Sequence, residues 1–320
     1  IEVPTVSIII PMFNEVGFIE NCLDAFTKQD YPRNKFKIIV VDGISDDGSK
    51  DIVHKFQEDY ENIVLLENKR RITPISFNIG IKAAETDVIG IFSAHSIPNP
   101  DYISSAIAVL IKIKADCVGG PMKAVSNTTI GKSIAYATST PFGVGNSVFH
   151  YSDKPDYVNT VYQGFFYRKL FNDIGYFDED LIRNQDDEMS YRIQKNGGKI
   201  YFDPKIKSVY HNRSNLKRLF IQYLQYGLFK PLVFFKTNYG MQIHHFIPSA
   251  FVIYLLSYFF LNHISYYYIP ITIYLSAALY FSIFSILKLK SKLYSLIIYP
   301  IIHISYGLGF ILGLFKLFKR

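Results

Sequence analysis

The sequence predicts an α/β fold, a parallel sheet with helical crossovers, followed by a C-terminal group of membrane-seeking helices. Three observations carry this. Short apolar runs alternate with helical patterns through the first 92 residues. All 27 acidic residues lie at or before Asp203. Three long apolar stretches come after it.

The elements follow in order. Val6-Ser7-Ile8-Ile9-Ile10 is a near-continuous apolar run ended by Pro11, as expected of a strand buried on both faces. A helical pattern runs from Glu15 to about Gln29. Residues 36–41 form a second apolar run, and a second helix begins at Ser49 after Asp46-Asp47-Gly48. Residues 63–66 are a third strand. A helix over 73–84 has Thr73 as its cap and Pro74 in its first turn. Residues 88–92 are a fourth strand. Strands and helices alternating at this spacing indicate βαβ units, whose ligands bind at the carboxyl ends of the strands.

The tail is different. Residues 246–261, 268–287 and 293–315 are apolar, and a bilayer needs ~20 such residues. Buried helices of a soluble domain are the other reading, but three such runs without one acidic residue rarely fit a soluble core. Tyr266, Tyr267 and Tyr268 resemble an interfacial belt. Lys288, Lys290 and Lys292 separate the last two stretches and mark a cytoplasmic side. Lys316, Lys319 and Arg320 conflict with that if the final stretch crosses fully. Pro300, Gly307 and Gly309 interrupt it, so it is either re-entrant or interfacial. No leader pattern precedes the first strand, which places the first part in the cytoplasm of a multi-pass membrane protein. The two cysteines, Cys22 and Cys117, exclude a disulfide scaffold.

The formal charge of +7 divides unevenly. Residues 1–203 carry 21 basic and 27 acidic side chains, a net of −6; the rest carries 13 basic and no acidic ones. That distribution argues against nucleic acid, which a uniformly basic protein would suggest. The expected organisation is a catalytic domain over 1–213, a basic amphipathic interfacial region over 214–243, and about three membrane-anchoring segments over 244–320.

Neither GxGxxG nor GxxxxGK is present. The residues after the strands are instead acidic or polar: Pro11-Met12-Phe13-Asn14-Glu15, Asp42 to Ser49, and Ser93-Ala94-His95. Asn14 and Glu15 suit a helix N-terminus, with Asn as cap and Glu near the positive dipole end, and also a nucleotide contact.

The segments VSIIIPMFNE, VVDGISDDGS, TPISFNIGIKAAETDVIGIFSAH, PFGVGNS, GYFDEDLIRNQDDEMSYRI and QYLQYGLFK, in that order, resemble the inverting family 2 glycosyltransferases of GT-A fold. The closer likeness is to the succinoglycan-type branch that builds exopolysaccharides. The resemblance covers roughly residues 5–230. It implies a nucleotide-diphospho-sugar donor, UDP-linked, held by Pro11, Phe13, Asn14, Glu15, Asp42, Asn78, Ser93 and Ala94. Asp42 would accept a hydrogen bond from the base, which an ionised carboxylate suits. Ser93-Ala94-His95 stands at the family's Asp-x-Asp metal motif, so a divalent Mn or Mg ion is implied. His95 remains as the ligand, and imidazole favours Mn over Mg. Ser93 replaces the expected Asp and puts metal dependence in question.

Gln185-Asp186-Asp187-Glu188 matches the family's Glu-Asp-x-Glu. On that register Asp186 is the general base, with Glu188 and Arg192 in their family places; Asp187 is the base if the register slips by one. Inverting transfer needs a single carboxylate to deprotonate the acceptor hydroxyl. An acidic first helical turn is the structural alternative. Phe142 to Gly145 and Gln163-Gly164 are expected near the acceptor or donor sugar, or as turn glycines. The Gln222-to-Tyr226 stretch lacks the Arg and Trp of processive synthases. The expected activity is therefore transfer of one sugar to a lipid-linked saccharide or to a polyprenyl phosphate. A catalytically impaired binding homologue is the reading that Ser93 and Gln185 favour.

Overall fold

A computed structural model of the chain describes residues 3–212, 214–285 and 287–318. Its chain order begins β1 Val6–Met12, α1 Ile19–Thr27, β2 Phe36–Asp42, α2 Ser49–Asp59, β3 Ile63–Glu67, α3 Thr73–Ala83 and β4 Val88–Ile91. It continues β5 Ser96–Pro98, α4 Tyr102–Ile113, β6 Cys117–Gly120, β7 Met122–Val125, α5 Thr129–Ala137 and α6 Pro141–Val144. Then come β8 Asp156–Tyr157, β9 Tyr162–Tyr167, α7 Leu170–Ile174, α8 Gln185–Lys195, β10 Ile200–Phe202 and β11 Ser208–His211. The C-terminal helices are α9 Leu216–Thr237, α10 Ile247–Leu256, α11 Tyr258–Leu261, α12 Ile269–Ile283 and α13 Leu289–Phe318.

The eight-stranded sheet has the order β3-β2-β1-β4-β9-β6-β10-β8. Strands β1 to β4 are mutually parallel, as their apolar runs predict. The register sets Met12 beside Asp42. Strand β9 runs antiparallel to both β4 and β6, which the sequence did not disclose. A second, three-stranded sheet has the order β5-β11-β7. Helix α1 buries Ile19, Cys22, Leu23 and Phe26, one face at i, i+3, i+4 and i+7 spacing. Gly80 lets α3 lie on β1: a Cβ there would stand 2.5 Å from Ile9 Cγ2.

Two expected helix starts shift. The first helix begins at Ile19 rather than Glu15, because Asn14 takes φ 54° and residues 15–18 form a turn. Asn14 is therefore not a cap. Thr73 is the first helical residue of α3, and Ile72 holds the cap position without a side-chain bond.

The chain divides into two compact units. One comprises residues up to Lys123 with Ser152–Tyr210; the other comprises Ala124–Tyr151 with residues from His211 on. This differs from the expected division at residue 213, because residues 124–151 leave the catalytic part.

Within the second unit, hydrogen bonds fasten that segment to the C-terminal helices. Ser133 Oγ donates to the Ser291 carbonyl at 2.9 Å, and Tyr136 Oη to the Phe281 carbonyl at 2.8 Å. His303 Nε2 donates to the Phe142 carbonyl at 2.8 Å and its Nδ1 accepts from Tyr274 Oη at 2.9 Å. Helices α9 and α13 approach backbone to backbone. A Cβ on Gly227 would lie 2.1 Å from the Tyr306 carbonyl oxygen, and one on Gly309 2.0 Å from that of Leu224.

Ser265–Ile283 and Leu289–Phe318 are long and apolar enough to cross a membrane. The expected first segment is not, since its helix breaks at Ser257. The first of the two candidate spans is almost wholly exposed, whereas nearly half of the second is buried against protein. Lys319 and Arg320, two of the three residues of the terminal basic cluster, lie outside the described residues.

Candidate active site

The carboxyl ends of β1, β2 and β4 deliver the expected loops to one edge of the sheet. The loops after β1 and β2 are tied together. Asn14 N donates to Ser45 Oγ at 2.9 Å, and Asn14 Nδ2 donates to Asp46 Oδ1 at 2.8 Å. Glu15 N donates to Ser49 Oγ at 2.8 Å, and Val16 N to Asp47 Oδ2 at 3.0 Å. Asp46 and Asp47 thus act as turn and cap acceptors, as their sequence suggests.

Asp42 is fully buried and accepts from Ser45 N at 3.0 Å and Ser45 Oγ at 2.5 Å. Its first role is to shape the loop. A carboxylate has about four acceptor positions, so capacity is left for a further donor. Phe13 is 42% exposed at the rim, and the Arg71 guanidinium lies 4.8 Å from its ring centre. Arg71, held at φ 56°, was not foreseen from the sequence.

After β4, Ser93-Ala94-His95 makes a turn closed by Ser96 N to the Ser93 carbonyl at 3.0 Å. Ala94 is buried. His95 Nε2 lies 2.9 Å from the Glu15 carboxylate. Its ring packs on Phe18, centre to centre 4.2 Å. Its Nδ1 is buried without a hydrogen-bond partner.

Asp186 is the second residue of α8, two after the cap Asn184 at φ 60°. Its side chain is exposed, yet the surrounding protein hinders solvation of its charge. Burial, then the charge of Asp187, pushes its pKa up to about 7, against a hydrogen bond from Gln185. Its charge is also felt by Cys117 and Tyr162. Tyr162 Oη in turn shares a 2.8 Å hydrogen bond with Ser96 Oγ, next to His95. Gln163 Nε2 donates to the same Ser96 Oγ at 2.8 Å. Tyr210 stands between, 6.2 Å from both the His95 and Tyr162 rings. Ser96 thus ties the His95 turn to Tyr162. No local motif marks Tyr162 or Tyr210; antiparallel β9 and β11 bring them there.

Three expected site residues are engaged in internal hydrogen bonds. Asn78 is 3% exposed, and its amide is spent on Phe177 N, the Phe177 carbonyl and Glu179 Oε1, at 2.9, 2.9 and 3.1 Å. It clasps the loop at Phe177 and Glu179. Glu188 is buried and takes a two-point hydrogen bond from Arg192, Nε at 2.9 Å and Nη2 at 2.6 Å. Arg192 Nη1 also donates to the Ile174 carbonyl at 2.7 Å. This pair ties α8 to the end of α7. Among the described residues, no three or more His, Cys, Asp or Glu side chains cluster as a metal site.

Comparison with known proteins agrees. The model of glycosyl transferase family 2 matches residues 7–175. The dolichyl N-acetyl-alpha-D-glucosaminyl phosphate 3-beta-D-2,3-diacetamido-2,3-dideoxy-beta-D-glucuronosyltransferase of Methanococcus voltae is 33% identical over 323 residues, 97% of each chain. The succinoglycan biosynthesis protein ExoA of Rhizobium meliloti is 26% identical over 76% of this chain and 74% of its own. Among solved structures, the Pyrobaculum calidifontis mannosyltransferase PcManGT with GDP-Man and Mn2+ has a TM-score of 0.63 at 18% identity, covering 98% of this chain and 88% of that one. TarS 1-349 of S. aureus with UDP-GlcNAc has a TM-score of 0.52 at 17% identity, covering 95% and 92%. The structural likenesses speak for the GT-A fold. The family match and the long M. voltae alignment go further: this chain belongs to glycosyl transferase family 2 and is a glycosyltransferase.

Proposed function

We propose that the enzyme transfers one sugar, with inversion, from a UDP-sugar to a saccharide carried on a lipid phosphate, at the cytoplasmic face of a membrane. The observation that carries this reading is Asp186, a carboxyl in the first turn of α8 whose pKa, pushed up to about 7, suits a general base at neutral pH. The M. voltae relative, whose name states a dolichyl-phosphate-linked saccharide, supports the acceptor class. The UDP-GlcNAc complex of TarS supports the donor. The two long apolar helices support the membrane.

Phe13 and Arg71 form a rim on which a base can stack, and Asp42 and Ser45 hold the loop beneath it. Asp186 takes the proton of the acceptor hydroxyl as its oxygen bonds to the anomeric carbon. The bond from that carbon to the diphosphate oxygen breaks on the opposite face, and the nucleoside diphosphate departs. Gln185 and the Glu188–Arg192 pair keep the carboxyl oriented.

For a divalent ion, Glu15 and His95 offer one carboxylate and one imidazole, with a buried Nδ1 still unpartnered. That set fits Mn2+ better than Mg2+, and Ser93 adds little. Such an ion, when bound, would neutralise charge on the leaving diphosphate.

A binding protein without turnover is the second reading, favoured by Gln185 at the position beside the base. Asp186→Asn, assayed with UDP-sugars and a lipid-linked saccharide, decides. Abolished transfer with donor binding retained supports the proposal; normal turnover overturns it.

A further inference from the structure

Helix α13 is apolar and 30 residues long, about 45 Å at 1.5 Å per residue. A crossing of the bilayer would use about 20 of these residues. What lies beside the helix decides whether such a stretch is available.

Helix α9 packs along its second half. A Cβ on Gly309 would meet the Leu224 carbonyl oxygen at 2.0 Å, and one on Gly313 that of Leu228 at 2.4 Å. From one pair to the next both helices advance four residues, so they run in the same direction and in step. On that register Lys217 and Arg218, both exposed, stand level with Ile302 and His303, the middle of α13. The chain enters α9 at this level through non-helical Ser214 and Asn215. The Asn215 side chain caps the helix by accepting from Arg218 N at 3.0 Å.

Any stretch of α13 long enough to cross contains that middle level. Shifted toward either end of the helix, it takes in Lys292 or Lys316 as well. Lys316 is exposed, with its Nζ 5.7 Å from the centre of the Phe229 ring on α9. A crossing would therefore draw cations and non-helical backbone toward the hydrocarbon, where both are costly.

One side of α13 is open and apolar along its whole length. Leu289, Leu293, Ile297, Leu312, Phe315 and Phe318 are exposed and, at about 3.6 residues per turn, fall on one side. Ser291, Ser295, Ile302, Gly309 and Gly313 are buried on the other. An open apolar side with cations at both ends and beside the middle is the pattern of a helix in the membrane surface.

We infer that α13 does not cross the bilayer but lies along its surface beside α9. Its open side sits among the acyl chains of one leaflet, and its two ends face the same side of the membrane. Exposed Lys288, Lys290 and Lys316 then meet anionic headgroups of that leaflet. The two basic clusters that conflict for a crossing helix agree for this one. The inference rests on the membrane attachment in the proposed function, not on its chemistry.

Cys22 and Cys117 are buried and the chain has no Trp, so an introduced Cys or Trp reports alone. Sealed inverted membrane vesicles carrying the full-length protein are treated with a membrane-impermeant maleimide, before and after permeabilisation. Lys290→Cys and Lys316→Cys should both label before permeabilisation, as should Lys55→Cys on the exposed surface of the first unit. Labelling of Lys290→Cys and Lys316→Cys from opposite sides overturns the inference. If all three label only after permeabilisation, the cytoplasmic placement in the proposed function falls and the inference stands.

Depth is a second measurement. Leu293→Trp, Ile304→Trp and Phe315→Trp lie along the open side of α13, Ile304 half-buried there. Their fluorescence is read in vesicles of lipids brominated near the headgroup or near the chain end. The ratio of quenching by the two lipids should be the same at all three positions. A crossing would put Ile304 about 16 Å deeper than Leu293, with the strongest quenching from the chain-end bromines; that result overturns the inference. So does absence of quenching at every position in a protein that sediments as a dimer, because a second copy then covers the open side. Loss of glycosyl transfer with both sets of readings as expected would count against the proposed function alone.

Discussion

Glu15 and His95, 80 residues apart, meet with 2.9 Å between carboxylate oxygen and Nε2. They come from the ends of two neighbouring parallel strands, β1 and β4. Both side chains are largely shielded, 14% and 12% exposed, so screening by water is limited. The pair places a carboxylate beside the turn in which Ser93 has none.

Removing that carboxylate should therefore weaken metal-assisted donor binding. Glu15→Gln keeps the shape and loses the charge. The Mn2+ concentration for half-maximal UDP-sugar binding should rise about tenfold or more, the scale seen when partners of a metal-ligating His are lost. Ser93→Asp should lower it. Titration calorimetry at fixed donor measures both, and an unchanged Mn2+ requirement in the two variants would remove Glu15 and His95 from the metal site.

Asp186 must be ionised to act as a base. With its pKa pushed up to about 7, kcat/KM should fall about tenfold per pH unit below that value and level off above it. Asp186→Asn should lower kcat by roughly 10²–10⁴, leaving the donor dissociation constant near the wild-type value. A pH profile that is flat from pH 5 to pH 8 would exclude this role, with those limits set about the shifted pKa.

The same shift has a consequence for stability. A carboxyl with a folded-state pKa above its unfolded value favours folding while protonated. That contribution is complete below the ordinary aspartate value of 3.8 and is lost as the pH rises through about 7. Asp186→Asn should therefore melt higher than wild type at about pH 8, with the gap closing toward about pH 4. Melting curves across this range check it; a gap that widens in acid would reverse the sign.

Asn78 is hydrogen-bonded to Phe177 and Glu179, so Asn78→Ala should destabilise without changing donor affinity. The variant leaves the Phe177 N–H and carbonyl without their partner in a buried place. The expected loss is about 2–3 kcal/mol, given ~1 kcal/mol per hydrogen bond plus the cost of the stranded groups. Denaturant unfolding and a donor titration on the same sample test it. A large rise in KM at unchanged stability would restore Asn78 to the nucleotide site.

The α9–α13 contact depends on absent side chains. Gly309→Ala puts a methyl group 2.0 Å from the Leu224 carbonyl oxygen, so the helices must separate. The expected cost is about 1–3 kcal/mol, seen as earlier melting and faster proteolysis of the second unit. Wild-type resistance would mean that this contact is not close in solution.

Much of the site was readable because the chemistry sits in contiguous stretches. Asp42 ends an apolar strand, Ser93-Ala94-His95 follows another, and Asp186 opens an acidic helical turn; each can be found by its position in a local pattern. Asn78 and Glu188 show the limit. Both carry polar groups inside motifs of the right kind, and both are spent on internal bonds, to Phe177 and to Arg192. A motif gives residue type and spacing but not which way a side chain faces. Arg71, Tyr162 and Tyr210 were invisible for the opposite reason: they lie in no motif and arrive through loop conformation or antiparallel pairing.

By itself the sequence determined the parallel half of the sheet, the split between an acid-containing and an acid-free part, and the family. These follow from side-chain periodicity and composition, which are local quantities. Only the tertiary structure decided that Glu15 meets His95, that β9 turns the sheet antiparallel, and that residues 124–151 join the C-terminal helices. Each depends on which distant surfaces exclude water together and satisfy one another's hydrogen bonds. A one-dimensional pattern does not encode that pairing.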